Sequence, residues 1–214
     1  MEFDELFDVS PLPCILKKAR TLVKEECREI YSYMSSLRPK TILEFGVQYG
    51  CSSRVFLEIG KWIGSEVVLH SWDIVDAVRK DCISKDDFYF HIENISGKEK
   101  GLFDKYAPDL LFLDAHPYRM TKSLIQECLS RKIDFMTHDV EYFVFDRAKK
   151  QSKNFTDFGV YVDWELYILG ELISTDLYIK DYYENELLIA KCFRGHGGGG
   201  LSIIRFKRGD EDVK

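Results

Sequence analysis

Two glycines and three carboxylates raise the first chemical question. The run Thr41-Ile-Leu-Glu-Phe-Gly-Val-Gln-Tyr-Gly50 is apolar, closes as Glu44-x-Gly46-x-x-x-Gly50, and leads into a helix-like segment. A strand, a glycine turn and a helix N-terminus leave backbone N–H groups facing a polar or anionic ligand, and Gly46 lets the backbone come close. Any doubly wound sheet can contain such a turn, so the spacing alone names no ligand. Asp73, at the end of a second β-rich run, stands where a carboxylate can accept hydrogens from both hydroxyls of a ribose. A further run, Asp109-Leu-Leu-Phe-Leu-Asp114, carries another carboxylate to its carboxyl end and continues as Ala115-His116-Pro117-Tyr118. In an open α/β sheet ligands bind beyond the carboxyl ends of the strands, where the strand order reverses. If the first and fourth runs are neighbours there, Glu44, Gly46, Asp114 and His116 share one crevice.

These residues need a frame. Apolar positions Leu16, Ala19, Val23, Cys27, Ile30, Met34 and Leu37 recur every three or four residues, the stripe of one amphipathic helix bounded by Pro13 and Pro39. Strands are expected at Thr41–Phe45, Val67–Trp72, Phe88–Ile92, Leu110–Asp114 and Ile133–Thr137. Helices are expected between them at Ser52–Trp62, Val75–Cys82, Gly97–Tyr106 and Met120–Leu129, and later at Trp164–Ile173. Strands alternating with helices mean βαβ units and a parallel sheet. Glu186–Phe193 and Leu201–Phe206 flank Arg194–Gly200, too short for a crossover helix, and therefore form an antiparallel hairpin. The expected fold is α/β, a doubly wound Rossmann-like sheet of seven strands, mostly parallel, in a single domain spanning 1–214. Within it 1–39 is an N-terminal helical segment, 40–145 the core, 146–185 an acceptor-facing insertion and 186–206 the terminal hairpin.

The chain has 214 residues and a formal net charge of −6, which argues against a nucleic-acid clamp or an anionic-membrane binder. With 45% apolar and 14% aromatic residues it can bury a sizeable core. Cys14, Cys27, Cys51, Cys82, Cys128 and Cys192 show no metal-knuckle spacing and read as buried thiols of a reducing compartment. The acidic N-terminus lacks a basic region followed by an apolar stretch, so the expected location is cytoplasmic.

With these pieces together, the sequence resembles the class I S-adenosylmethionine-dependent methyltransferases, within them small-molecule O-methyltransferases of the catechol and macrolide-sugar type. The matching pieces are E-F-G-V-Q-Y-G (44 to 50), Asp73, Glu93-Asn94, F-L-D-A-H (112 to 116), T-H-D-V (137 to 140), F-G-V…W-E (158 to 165) and G-G-L-S-I-I (199 to 204). The likeness covers 40–145 well and the remainder in outline. It implies that Glu44, Gly46 and Ser52, with the Gly50 turn, hold the methionine part of the cofactor. It likewise implies that Asp73 holds the ribose and that Ile74, Glu93 and Asn94 hold the adenine. In nicotinamide folds further glycines admit a pyrophosphate; Val47 and Gln48 occupy those places here.

In metal-dependent members of the family, Asp114, His138 and Asp139 fall where ligands of Mg²⁺ sit. His138 replaces a carboxylate there, and an imidazole favours Mn²⁺ or Fe²⁺ over Mg²⁺. Where the catechol-type enzymes carry a lysine, this chain has Pro117. Asp114, His116 and His138 are then the catalytic candidates, with either imidazole able to take the proton of an acceptor hydroxyl. His70 and His91 lie inside expected strands and read as structural, and His196 as part of a hairpin tip. The implied function is methyl transfer to a hydroxyl of a small molecule. Two rivals stand beside it: a hydroxylase-like enzyme holding Fe²⁺ on Asp114, His116 and His138, and a scaffold that binds cofactor without catalysis. The acceptor's identity and the oligomeric state are not readable from the residues.

Overall fold

The computed structural model describes residues 2–19, 22–114, 118–138, 165–174, 181–193 and 200–208. His116, Asp139, His196 and most of 146–185 lie outside them. Eight strands form one sheet in the order β3-β2-β1-β4-β5-β8-β7-β6. They are β1 (Thr41–Phe45), β2 (Val68–Asp73), β3 (Tyr89–Ile92), β4 (Leu110–Leu113), β5 (Asp134–His138), β6 (Tyr182–Glu184), β7 (Leu188–Phe193) and β8 (Leu201–Phe206). β1 to β5 run parallel and β8 joins β5 antiparallel, as the terminal hairpin requires. The sheet has eight strands rather than the expected seven, because the short polar Tyr182–Glu184 adds an edge strand beside β7. Three residues carry too little alternation to be seen in sequence.

The helices are α1 (Phe3–Val9), α2 (Leu12–Ala19), α3 (Lys24–Leu37), α4 (Cys51–Trp62), α5 (Glu99–Tyr106), α6 (Tyr118–Arg131) and α7 (Glu165–Ile173). The two-residue period of the strands sorts the core into two layers. Ile42, Leu110, Phe112 and Met136 pack on Cys27, Ile30 and Met34 of α3 and on Val55, Phe56 and Ile59 of α4. Leu43, Phe45, Leu111, Leu113 and Phe135 pack on α5, α6 and α7. Helix α3 ends at Arg38, left-handed with φ 49°, and α5 at Ala107, φ 44°. Pro39 and Pro108 follow and stop each helix.

Two helix expectations fail for local reasons. The stripe from Leu16 to Leu37 is broken into α2 and α3, because the Glu26 carboxylate accepts the Val23 N–H at 2.9 Å and starts a new helix there. Val75–Cys82 is not helical. A segment so short gains little from its own hydrogen bonds, and Arg79 N–H bonds across to the Tyr49 carbonyl at 3.2 Å.

At the β2/β3 edge, His70 stacks on Tyr89 at 4.6 Å and lies tilted against Tyr106 at 4.1 Å, while His91 stacks on Trp72 at 4.5 Å. The ring nitrogens of His91 and His70 are 3.5 Å apart. Burial, then the charges of His91 and Lys105, hold His70 down at about 4. The unfolded ring takes its proton near pH 6.5 and the folded one only near 4, so this contribution is whole above 6.5 and lost as pH falls toward 4. Discounted for a half-buried ring, the loss is about 1 kcal/mol. Urea midpoints at pH 7.5 and pH 5 are expected to differ less in His70→Phe than in the parent; equal differences would remove His70 from the account.

Candidate active site

Glu44 is completely buried near the end of β1. Its Oε1 accepts Ser52 Oγ at 2.5 Å, and its Oε2 accepts Ser53 Oγ at 2.5 Å and Ser71 Oγ at 2.6 Å. Burial raises the carboxyl above its usual range, and the three serine hydroxyls oppose that rise. Ser52 and Ser53 stand on the first turn of α4 and Ser71 on β2, so one side chain ties together the three elements that frame the glycine turn. Glu44 and Ser52, expected on the methionine part of a cofactor, are hydrogen-bonded to each other beside the turn. Ser53 and Ser71 were missed, since isolated serines carry no signal until the strands are aligned.

The turn itself needs its glycines. Gly46 has φ 89° and Gly50 φ 82°, and a side chain on Gly50 would put Cβ 2.5 Å from Ile83 Cγ2. Gly46 N–H bonds the Trp72 carbonyl at 3.0 Å, which brings the turn against the end of β2. There Asp73 Oδ2 accepts the N–H groups of Val47 at 3.0 Å and Gln48 at 2.9 Å, and Oδ1 accepts Val75 N–H at 3.1 Å. A carboxylate accepts about four hydrogen bonds, so one acceptor direction is left at Asp73. Ile74, the next residue, is 71% exposed and Val75 57%, an apolar shelf beside the carboxylate. Glu93 receives Trp72 Nε1 at 3.2 Å and Lys98 Nζ at 3.0 Å; Lys98 first, then Trp72, lowers its carboxyl below the usual range. Asn94 Oδ1 accepts Ser96 N–H at 3.0 Å. Both residues stand exposed just beyond β3, on the same sheet edge as Asp73.

β1 and β4 are adjacent, as the shared crevice requires. Asp114 follows β4, and its N–H bonds the Phe45 carbonyl at 2.8 Å. Its Oδ2 lies 3.8 Å from Nδ1 of His138, the last residue of β5, and His138 Nε2 lies 3.6 Å from Glu26 Oε2. The Asp114 side chain is 25% exposed and that of His138 6%, so the carboxylate is the member that reaches the crevice and the imidazole stands behind it. Glu26, wholly buried, also accepts Val23 N–H at 2.9 Å and Gly200 N–H at 3.0 Å, binding α3, β5 and the start of β8 at one point. It was missed as a site residue, because Val23 stands where a capping box would carry Ser or Thr. Among the described residues no group of three His, Cys, Asp or Glu side chains is arranged to hold a metal ion. His116 and Asp139 lie outside that set.

No family model and no curated protein matches the chain. Solved structures do. An O-methyltransferase from Bacillus cereus in complex with S-adenosylhomocysteine is 12% identical at a TM-score of 0.61, over 95% of this chain and 96% of that one. A putative caffeoyl-CoA O-methyltransferase from Staphylococcus aureus is 15% identical at 0.62, over 96% and 99%. The O-methyltransferase TomG from Streptomyces achromogenes, involved in tomaymycin synthesis and solved with S-adenosylmethionine, is 12% identical at 0.61, over 97% and 100%. The chain has the fold of these O-methyltransferases.

Proposed function

We propose that the chain binds S-adenosylmethionine at the carboxyl edge of β1, β2 and β3 and transfers its methyl group to a hydroxyl of a small molecule. The observation that carries this reading is the junction of Asp73 with the turn. A carboxylate with one acceptor direction left, flanked by exposed Ile74, suits a nucleoside that offers hydroxyls on one side and an apolar ring face on the other. Val47 and Gln48 spend their N–H groups on Asp73, which leaves them unsuited to cradling a pyrophosphate. When bound, the cofactor supplies a methyl group already activated by its sulfonium charge. The work left to the protein is to hold the acceptor oxygen in line and to remove its proton. Asp114, backed by His138, is our assignment for the proton, and we place acceptor specificity in 146–185. No helix among the described residues is long and apolar enough to cross a membrane.

S-adenosylhomocysteine at a hundred times its dissociation constant is expected to raise the melting temperature by roughly 5–10 °C. Asp73→Asn, which keeps the volume but not the charge, is expected to weaken binding by about ten- to a hundredfold in calorimetric titration. A melting shift with NAD and none with S-adenosylhomocysteine would overturn the cofactor assignment.

A further inference from the structure

All six cysteines are thiols, and two of them meet far along the chain: Cys51 Sγ and Cys82 Sγ are 3.5 Å apart. Both are buried, in a small apolar nest with Ile15 and Tyr49. We propose that Cys51 and Cys82 form a reversible disulfide, a redox clamp that fixes the segment after β2 to the turn after β1.

Cys51 is the first residue of α4, where the helix dipole favours a thiolate. Arg79, whose cation is held by Asp81 at 2.7 Å, comes from the same segment as Cys82. The two walls are already in register: Arg79 N–H bonds the Tyr49 carbonyl at 3.2 Å, its guanidinium lies 5.6 Å from the centre of the Tyr49 ring, and Cys82 N–H bonds the Arg79 carbonyl at 2.9 Å. A disulfide needs the sulfurs at about 2.05 Å. Residues 74–84 contain neither helix nor strand, so this segment can supply the movement while Cys51 stays on its helix. Opening of the same segment admits a small oxidant.

With hydrogen peroxide as oxidant, the Cys51 sulfur attacks one oxygen, the O–O bond breaks, and the departing hydroxide leaves as water with the thiol proton. The Cys82 sulfur then displaces hydroxide from the Cys51 sulfenic acid, forming the S–S bond and a second water. Two thiols lose two electrons and the peroxide gains them; a dithiol reductant reverses the step. The clamp joins the turn after β1 to the segment after β2, so oxidation stiffens that edge of the sheet without altering Asp114 or His138.

The test uses the full chain with exposed Cys14 replaced, Cys14→Ser, to suppress intermolecular disulfides. After peroxide, peptide mapping should recover a Cys51–Cys82 linkage. The melting temperature should rise by about 5–10 °C, and amide exchange across 74–83 should slow about tenfold, both reversed by dithiothreitol. Cys51→Ser and Cys82→Ser should each abolish the response, and Cys128→Ser should keep it. Absence of the linkage in the Cys14→Ser chain overturns the proposal, whatever the serine variants do. So does a linkage that leaves the exchange rates unchanged. None of these readouts involves a cofactor, so the clamp stands or falls apart from the methyl-transfer reading.

Discussion

Glu44→Ala is expected to destabilise the fold by about 5–7 kcal/mol, with two causes of comparable size. Removing a fully buried side chain of this volume leaves a cavity, worth about 2–4 kcal/mol. It also strips the acceptor from three buried hydroxyls, Ser52, Ser53 and Ser71, each costing about 1 kcal/mol when unpaired. Glu44→Gln keeps the volume and one acceptor oxygen and is expected to lose about half as much. Urea unfolding followed by circular dichroism measures both, and a loss below about 1 kcal/mol for the alanine variant would show that the serines find other partners. The two variants also separate by pH. Burial raises the Glu44 carboxyl above its ordinary 4.5, so the folded chain holds that proton more tightly than the unfolded one. Its contribution is therefore whole below pH 4.5 and is lost as pH rises through the folded value. The uncharged glutamine should flatten this limb of the stability profile.

The buried tetrad also shows what could be read in advance. The strand–turn–helix around Gly46 and Gly50 and the acidic ends of β2 and β4 were legible, because short apolar runs ending in glycine or aspartate are local signals. The adjacency of β1 and β4 was a condition of the shared crevice, and the sheet order meets it. What Glu44 does was not legible: its partners come from Ser71 on another strand and from a helix face, and only the register of β1 against β2 brings them together. Glu26 was hidden for a similar reason. Its place in the Leu16–Leu37 stripe made it one charge on a long helix, whereas the break at Val23 turns it inward toward His138 and Gly200. The edge strand β6 and the non-helical 75–82 were misread because both are held by long-range hydrogen bonds rather than by their own composition. Asp73 was read for its position correctly, but the share of its oxygens that the turn itself consumes depends on backbone N–H directions that no residue pattern encodes.

The largest effect on turnover is expected at Asp114. If its carboxylate takes the acceptor proton while His138 holds it and Glu26 holds the imidazole, then the three act as one unit along a line from the crevice to α3. Asp114→Asn should then lower kcat by about 10²- to 10⁴-fold on an identified acceptor while S-adenosylhomocysteine binds nearly as in the parent, since a proton acceptor acts in the transition state and not in cofactor affinity. His138→Ala should fall in the same range, and the double variant should be no slower than the slower single one, because groups that work as a unit give strongly non-additive losses. Glu26→Gln should sit between these and the parent, its helix-start bond to Val23 retained through the amide oxygen. Additive losses at Asp114 and His138 would separate them into independent contacts. Full turnover in both would pass the proton to His116 or leave catalysis to alignment alone.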